Sequence, residues 1–276
     1  MVRAGAIGWR AHAALTTSAG VATVIAPLSR SFYAEAAGEL IWIGDADAML
    51  HPRAILATGI VVPAVGARVS IAVDGVVPWR PARAGIGSDA AAAGARALRA
   101  ALGNFGPPRG LARVLMPDGN DDDDPVITRA APHVRALAAA CAGDDPQGAV
   151  DAARPLLGLG DGLTPSGDDF VGGVLFARHL LDGIAASWET TIMRVVTDAG
   201  AVTHPISARL LADLAAGEGW APLHCLASAM GAGDARATHR AAHMLTTLGN
   251  TSGWSLLGGV VVGLGLEVTD DAIRAQ

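Results

Sequence analysis

Two segments of this chain share a pattern that few helices tolerate. Ser166-Gly167 is followed, five residues after the glycine, by Gly172-Gly173-Val174, and Ser252-Gly253 is followed at the same spacing by Gly258-Gly259-Val260. Each copy has a threonine shortly before its serine, Thr164 and Thr251, and each continues as an apolar run. A glycine inside a helix weakens it by about 1 kcal/mol relative to alanine, so the paired glycines need a compensating reason. Close approach of two helix backbones supplies one. A pseudo-symmetric helix pair with adjacent N-termini would focus two positive dipole ends on one point.

The composition allows such close packing. With 58 Ala and 35 Gly, small residues make up a third of the 276, while aromatic residues are only 4%. The length suits one large or two modest domains with real cores. Up to about residue 80, short Val/Ile-rich runs alternate with Gly, Pro and Asp: Val21–Ala26, Leu40–Ile43, Ile60–Val65, Val69–Val73 and Val76–Val77. Asp74-Gly75 between the last two is a hairpin signal. These features predict an N-terminal antiparallel β-rich domain, a sheet or small barrel, over residues 1–85.

From Ser88 the pattern changes to Ala-rich runs with helix punctuation, beginning with Ser88 as N-cap of Asp89–Leu102. Further helices are expected at Pro132–Cys141, Pro146–Leu157, Gly167–Leu181, Ser187–Ala199, Pro205–Ala216, Pro222–Met230, Asp234–Leu248 and Ser252–Leu266. The chain therefore reads as α+β, with a mostly α-helical domain over residues 86–276. The acidic run Asn120–Asp124 before Pro125 reads as a solvated turn, with Asp124 capping a helix that Pro125 begins.

Charge narrows the functional classes. The net charge of -6 leaves no electrostatic footprint for nucleic acid or an anionic membrane surface. All 20 basic residues are Arg, which excludes Schiff-base and P-loop lysine chemistry but suits carboxylate and phosphate recognition. Apolar stretches such as Leu256–Leu266 fall short of the roughly 20 residues a membrane span needs. His12, Thr16, Thr17 and Ser18 interrupt any secretory h-region near the N-terminus, so a cytoplasmic location is expected. Cys141 and Cys225 lack metal-ligand spacing and read as buried thiols.

The strongest local signal for chemistry is Gly158–Phe170, reading Gly-Leu-Gly-Asp-Gly-Leu-Thr-Pro-Ser-Gly-Asp-Asp-Phe. Gly158, Gly160 and Gly162 free the backbone for tight turns, and Ser166 with Asp169 has capping-box spacing at a helix start. Unpaired N–H groups at such a start form an anion site. The expected substrate-binding residues are Gly160, Gly162, Thr164, Ser166, Gly167, Ser207, Asn250, Thr251, Ser252 and Gly253. Asp168 and Asp169 are candidate catalytic residues, as a general base or as ligands of Mg²⁺, the one cofactor expected. In Thr203-His204-Pro205-Ile206-Ser207, His204 is the candidate acid that protonates a leaving group. His239 and His243, four apart on one helix face, have metal-ligand spacing but read by default as a polar face.

At Gly158–Phe170, with Thr203–Ser207 and Leu248–Trp254, the sequence resembles the AllH-type subunit family of oxamate carbamoyltransferase. Its most specific part is Gly-Leu-Thr-Pro-Ser-Gly-Asp-Asp at 162–169, and Asp161 stands where the family commonly has Pro. The resemblance implies transfer of a carbamoyl group, from oxalurate and phosphate to oxamate and carbamoyl phosphate, in purine-ring nitrogen catabolism. It implies a small anionic substrate and a hetero-oligomer with other transferase subunits, or a homo-oligomer. The alternatives are a Mg²⁺-dependent hydrolase of a small amide or phosphate compound, and a non-catalytic scaffold subunit.

Overall fold

Alternating burial shapes the first strands. In β3 (Val21–Pro27), Ala22 and Val24 point into a core while Thr23 and Ile25 are exposed. The computed structural model describes residues 1–82, 85–116, 124–181 and 186–266. Residues 120–123 of the acidic run lie outside the described residues. The chain forms two compact units, one of Met1–Ala82 with Gly219–Ala221 and one of Arg83–Glu218 with Pro222–Gln276.

The first unit is a seven-stranded sheet ordered β1-β7-β3-β4-β5-β6-β2, with β1 Val2–Arg3, β2 Ala6–Ile7, β4 Phe32–Ala36, β5 Glu39–Asp45, β6 Ala54–Ala57 and β7 Arg68–Ala72. The sheet is mixed, since β1–β7 and β5–β6 pair in parallel and the other neighbours antiparallel. Helix α1 (Trp9–Thr17) lays Ala11, Ala14 and Leu15 into the same core as Phe32, Ile41, Ile43, Ile55 and Ile71.

Two expected strands do not form. Ile60–Val65 and Val76–Val77 lie outside every strand, and Val61, Val65 and Val77 are exposed. Pro63 and Pro78 remove the N–H groups that a ladder would use. The hairpin instead joins β4 to β5, pairing Ala36 with Glu39 across Ala37 and Gly38, both at positive φ (51° and 79°). That is the sign at both central positions which a tight type I′ hairpin turn demands.

The second unit is helical: α2 Ser88–Ala101, α3 Pro125–Ala142, α4 Pro146–Ala153, α5 Ser166–Leu180, α6 Ala186–Val202, α7 Pro205–Ala215, α8 Ala221–Gly231, α9 Ala235–Thr246 and α10 Ser252–Gly263. The chain is α+β. Helix α2 begins at Ser88 itself, with Gly87 as N-cap. Asp124 does cap α3, accepting from the Val126 and Ile127 N–H groups, and Pro125 is its first residue. Helices α5 and α10 are buried all round and occupy the centre of this unit, where every residue of α5 except His179 is buried. Among the described residues, no helix is long and apolar enough to cross a membrane.

Candidate functional site

The glycines of the two copies meet each other. A Cβ on Gly173 would stand 2.3 Å from the Leu256 carbonyl oxygen, and one on Gly259 would stand 2.0 Å from the Phe170 carbonyl oxygen. Phe170 and Leu256 hold the same place, four residues after the serine, in their respective copies. The contact is therefore reciprocal, as a two-fold axis requires. Further along, a Cβ on Gly263 would meet Ala177 Cβ at 2.8 Å. At the near end, Ser166 Oγ donates to Thr251 Oγ1 at 3.0 Å, and Thr164 Oγ1 shares a hydrogen with Ser252 Oγ at 3.4 Å. Contacts at matching levels make α5 and α10 parallel neighbours with their N-termini together.

The approach segments repeat as well. Gly167 N–H donates to Leu159 O (2.8 Å) and Leu159 N–H to Leu156 O (3.1 Å); Gly253 N–H donates to Leu248 O and Leu248 N–H to Leu245 O, both at 3.0 Å. A Cβ on Gly167 or Gly253 would lie 1.9 or 1.8 Å from the first leucine's carbonyl oxygen. The copies thus begin at Leu156 and Leu245 with a shared Leu-x-x-Leu-Gly, a signal the spacing of the serines alone did not reveal. The first copy carries extra residues between this stretch and its serine, and Gly158, Gly160 and Gly162 all take positive φ.

Ser166 is the first residue of α5, after Pro165 as N-cap, and Ser252 follows Thr251 as N-cap of α10; neither helix has a side-chain cap. The capping box expected of Ser166 and Asp169 does not form. Its hydroxyl reaches across to the other copy, because the two N-termini are close enough for that partner to compete. The outcome is a cluster of four hydroxyls from Thr164, Ser166, Thr251 and Ser252 at the start of two parallel helices, where backbone N–H groups and dipole ends favour anions.

The adjacent aspartates have opposite surroundings. Asp168 is 2% exposed and accepts from Gly158 N–H at 2.7 Å, Ser207 Oγ at 2.6 Å and Thr203 Oγ1. It ties the Gly-rich loop and the start of α7 to α5. Asp169 is 5% exposed, meets the Ser252 hydroxyl, and leaves its Oδ2 buried without a partner. Burial pushes its pKa up to about 8; the Ser252 hydrogen bond pulls it down, and the Asp168 charge adds to the rise.

Among the expected site residues, the structure brings together Thr164, Ser166, Asp169, Thr251 and Ser252, with Gly167 and Gly253 seating the two helix starts. Ser207 belongs to the Asp168 cluster. His204 is exposed and caps α7, its Nδ1 accepting from Ile206 N–H at 3.2 Å. Asn250 Oδ1 accepts from Arg109 Nη1 at 3.1 Å. Arg109 precedes a 3₁₀ helix, Gly110–Leu115, whose Leu111 N–H donates to Ser255 Oγ of α10 at 3.2 Å. Arg154, Arg178 and Arg209 lie nearer the motifs in sequence. Arg154 pairs with Asp198, and Arg178, in the last turn of α5, pairs with Asp144 and lies over the Trp188 ring.

Mg²⁺ takes six oxygens, commonly one or two carboxylates with waters and phosphate oxygens. Both oxygens of Asp168 already accept hydrogen bonds and Asp169 Oδ2 is the one unengaged oxygen of the pair, so these two residues by themselves do not make a resident Mg²⁺ site. Among the described residues, no three His, Cys, Asp or Glu side chains are grouped to hold a metal. His239 and His243 stack on Phe105, at ring-centroid distances of 4.8 and 5.8 Å. Cys141 is buried, with its thiol pushed up to about 12 mainly by that burial, whereas Cys225 is exposed, contrary to the expectation of two buried thiols.

The comparison with known families falls on this same region. Residues 156–264 match the family model of the oxamate carbamoyltransferase subunit AllH. The AllH match covers 109 of the 276 residues, starting at the first leucine of the first copy and ending just past α10. No curated protein and no solved structure matches the chain.

Proposed function

We propose that this chain is a subunit of a carbamoyltransferase of the oxamate carbamoyltransferase type, and that the paired N-termini of α5 and α10 bind the anionic end of its substrate. The observation that carries this reading is the convergence of two helix starts and four hydroxyls from both halves of the AllH-matching region. In the reaction, a phosphate oxygen attacks the carbamoyl carbon of oxalurate, the bond to the oxamate nitrogen breaks, and carbamoyl phosphate leaves. N–H groups and hydroxyls fixed before the substrate arrives stabilise the phosphate charge and the developing oxyanion without reorganising. Arg109, bonded to Asn250 next to Thr251, supplies a positive charge beside the site.

Asp168 acts here as a positioning residue, since its three hydrogen bonds hold the Gly-rich loop and α7 against the start of α5. His204 stands one residue from Thr203 at the edge of that arrangement. The glycines that would pack a scaffold against a partner are consumed inside the chain's own helix pair. Other subunits of the enzyme complete the assembly.

The test is the melting temperature of the purified chain with phosphate, carbamoyl phosphate, oxamate and oxalurate, each with and without Mg²⁺. A ligand at about 100 times its Kd stabilises by roughly 2.7 kcal/mol, which raises Tm by several degrees in a domain of this size. A selective rise with carbamoyl phosphate or oxalurate, lost in Thr251→Val/Ser252→Ala, supports the reading. No shift with any of the four, alone or with the partner subunits added, overturns it.

A further inference from the structure

Among the described residues, Asp169 is the one buried polar group at the paired helix starts whose needs the fold leaves unmet. Its Oδ2 is buried without a partner, while the adjacent Asp168 accepts three hydrogen bonds. An ionised carboxylate so poorly provided costs far more than a neutral carboxylic acid. Two neighbouring carboxyl groups in opposite environments are the arrangement by which a protein separates a proton-holding acid from a charged partner. The ionisable groups on elements packed against α5 do not offset this: α10 carries none, Arg109 before the 3₁₀ helix bonds Asn250, Arg113 pairs with Asp124, Arg154 with Asp198, Arg194 bonds Gln147, and Glu189 is exposed at the start of α6. Arg209 and Asp213 lie further along α7 than Ser207, and His204 uses its Nδ1 on its own helix start.

From Asp169 a line of hydroxyls runs across the two-fold, through Ser252 to Thr164. We infer that Asp169 is the proton-holding acid of this site, exchanging its proton with the bound anion through the Ser252 and Thr164 hydroxyls. This rests on the carbamoyl-transfer reading and replaces His204 as the proton donor in it. The bookkeeping of the step closes without a further reactant. Monohydrogen phosphate forms a C–O bond to the carbamoyl carbon and the C–N bond breaks, its electron pair going to the oxamate nitrogen. Asp169 gives that nitrogen a proton through the hydroxyl line and regains the one that phosphate loses. The acid ends as it began.

The probe is sulfate, a dianion that neither gains nor loses a proton near pH 8. The full chain is titrated with it by calorimetry at pH 8 in two buffers of different ionisation enthalpy. A dianion at the site raises the affinity of Asp169 for its proton, so binding by the unmodified chain takes up a measurable fraction of a proton. Asp169→Asn keeps the shape, binds sulfate within about threefold (roughly 0.7 kcal/mol), and takes up none. With partner subunits, oxalurate and phosphate, the same variant loses about 100-fold in kcat with little change in the KM for phosphate, the scale of a lost general acid. Asp169→Ser, which is smaller and does not titrate, is the second variant if Asp169→Asn fails to fold, and it too takes up no proton.

Sulfate binding without proton uptake by the unmodified chain, or equal uptake by a folded Asp169→Asn, overturns the assignment of Asp169 and leaves the anion site standing. Failure of the unmodified chain to bind sulfate at all overturns the anion site and this assignment with it.

Discussion

The seam between α5 and α10 makes a quantitative prediction for Gly259→Ala. In an open helix this change is stabilising by about 1 kcal/mol, because glycine loses more backbone freedom on folding. At position 259 the new methyl would sit 2.0 Å from the Phe170 carbonyl oxygen, 2.9 Å from its carbon and 3.0 Å from Gly173 Cα. All three are backbone atoms, so no side chain can turn aside and the helices must separate by more than an ångström. Overpacking of this kind costs about 3 kcal/mol or more when the neighbours are rigid, and moving the helices also loosens the hydroxyl contacts at their N-termini. The expected net destabilisation is about 2 kcal/mol or more, read as a Tm decrease of roughly 4–8 °C. Gly200→Ala is the control: Gly200 lies within α6, and a Cβ there meets nothing within 4 Å. It should raise Tm by a few degrees in the same calorimetric or circular-dichroism melt. Equal behaviour of the two variants, or a rise for Gly259→Ala, would refute the backbone-contact explanation of the repeated glycines.

Other predictions follow from the same geometry. Asp168→Ala leaves the Gly158 N–H and the Thr203 and Ser207 hydroxyls without their acceptor and should destabilise by about 3 kcal/mol in chemical denaturation; a stable variant would show that the tie is dispensable. Asp169 has a folded pKa of about 8 against an ordinary value of 3.8, so between those limits the native state holds a proton that the unfolded chain has released. Its contribution to stability is therefore full below about pH 4 and declines by roughly 1.4 kcal/mol per unit as pH rises towards 8. Asp169→Asn should flatten that decline, and an unchanged pH–stability profile would place the proton elsewhere. Exposed Cys225 should react with a thiol reagent in the folded protein while buried Cys141 does not, which mass spectrometry of labelled peptides decides.

Much of the helical unit was legible because its signals are local. Pro at the first position of α3, α4 and α7, Asp124 as a cap and the Ala-rich runs between them each act through neighbouring residues. The β-rich unit was less so. Strand β6, Ala54-Ile55-Leu56-Ala57, is buried on both faces and shows no alternation, and the Ala37-Gly38 turn lacks the usual Asn or Asp. The parallel pairing of β5 with β6 depends on where the chain returns, across residues 46–53, which composition does not record.

That two glycine-paired helices exist, that their glycines need a backbone neighbour, and that serine, threonine and aspartate sit at their starts can be read from the residues alone. That the neighbour of each is the other came from three-dimensional packing. It also decided that Ser166 turns to Thr251 rather than capping its own helix, and that Arg109 rather than an arginine nearer in sequence stands beside Asn250. The fates of Asp168 and Asp169 diverge for the same reason. Adjacent residues on a helix point about 100° apart, so one turns to the Gly158 N–H and the hydroxyls of Thr203 and Ser207. The other turns to a single hydroxyl of α10, and a carboxyl group's charge follows the donors it finds in space rather than its neighbours along the chain.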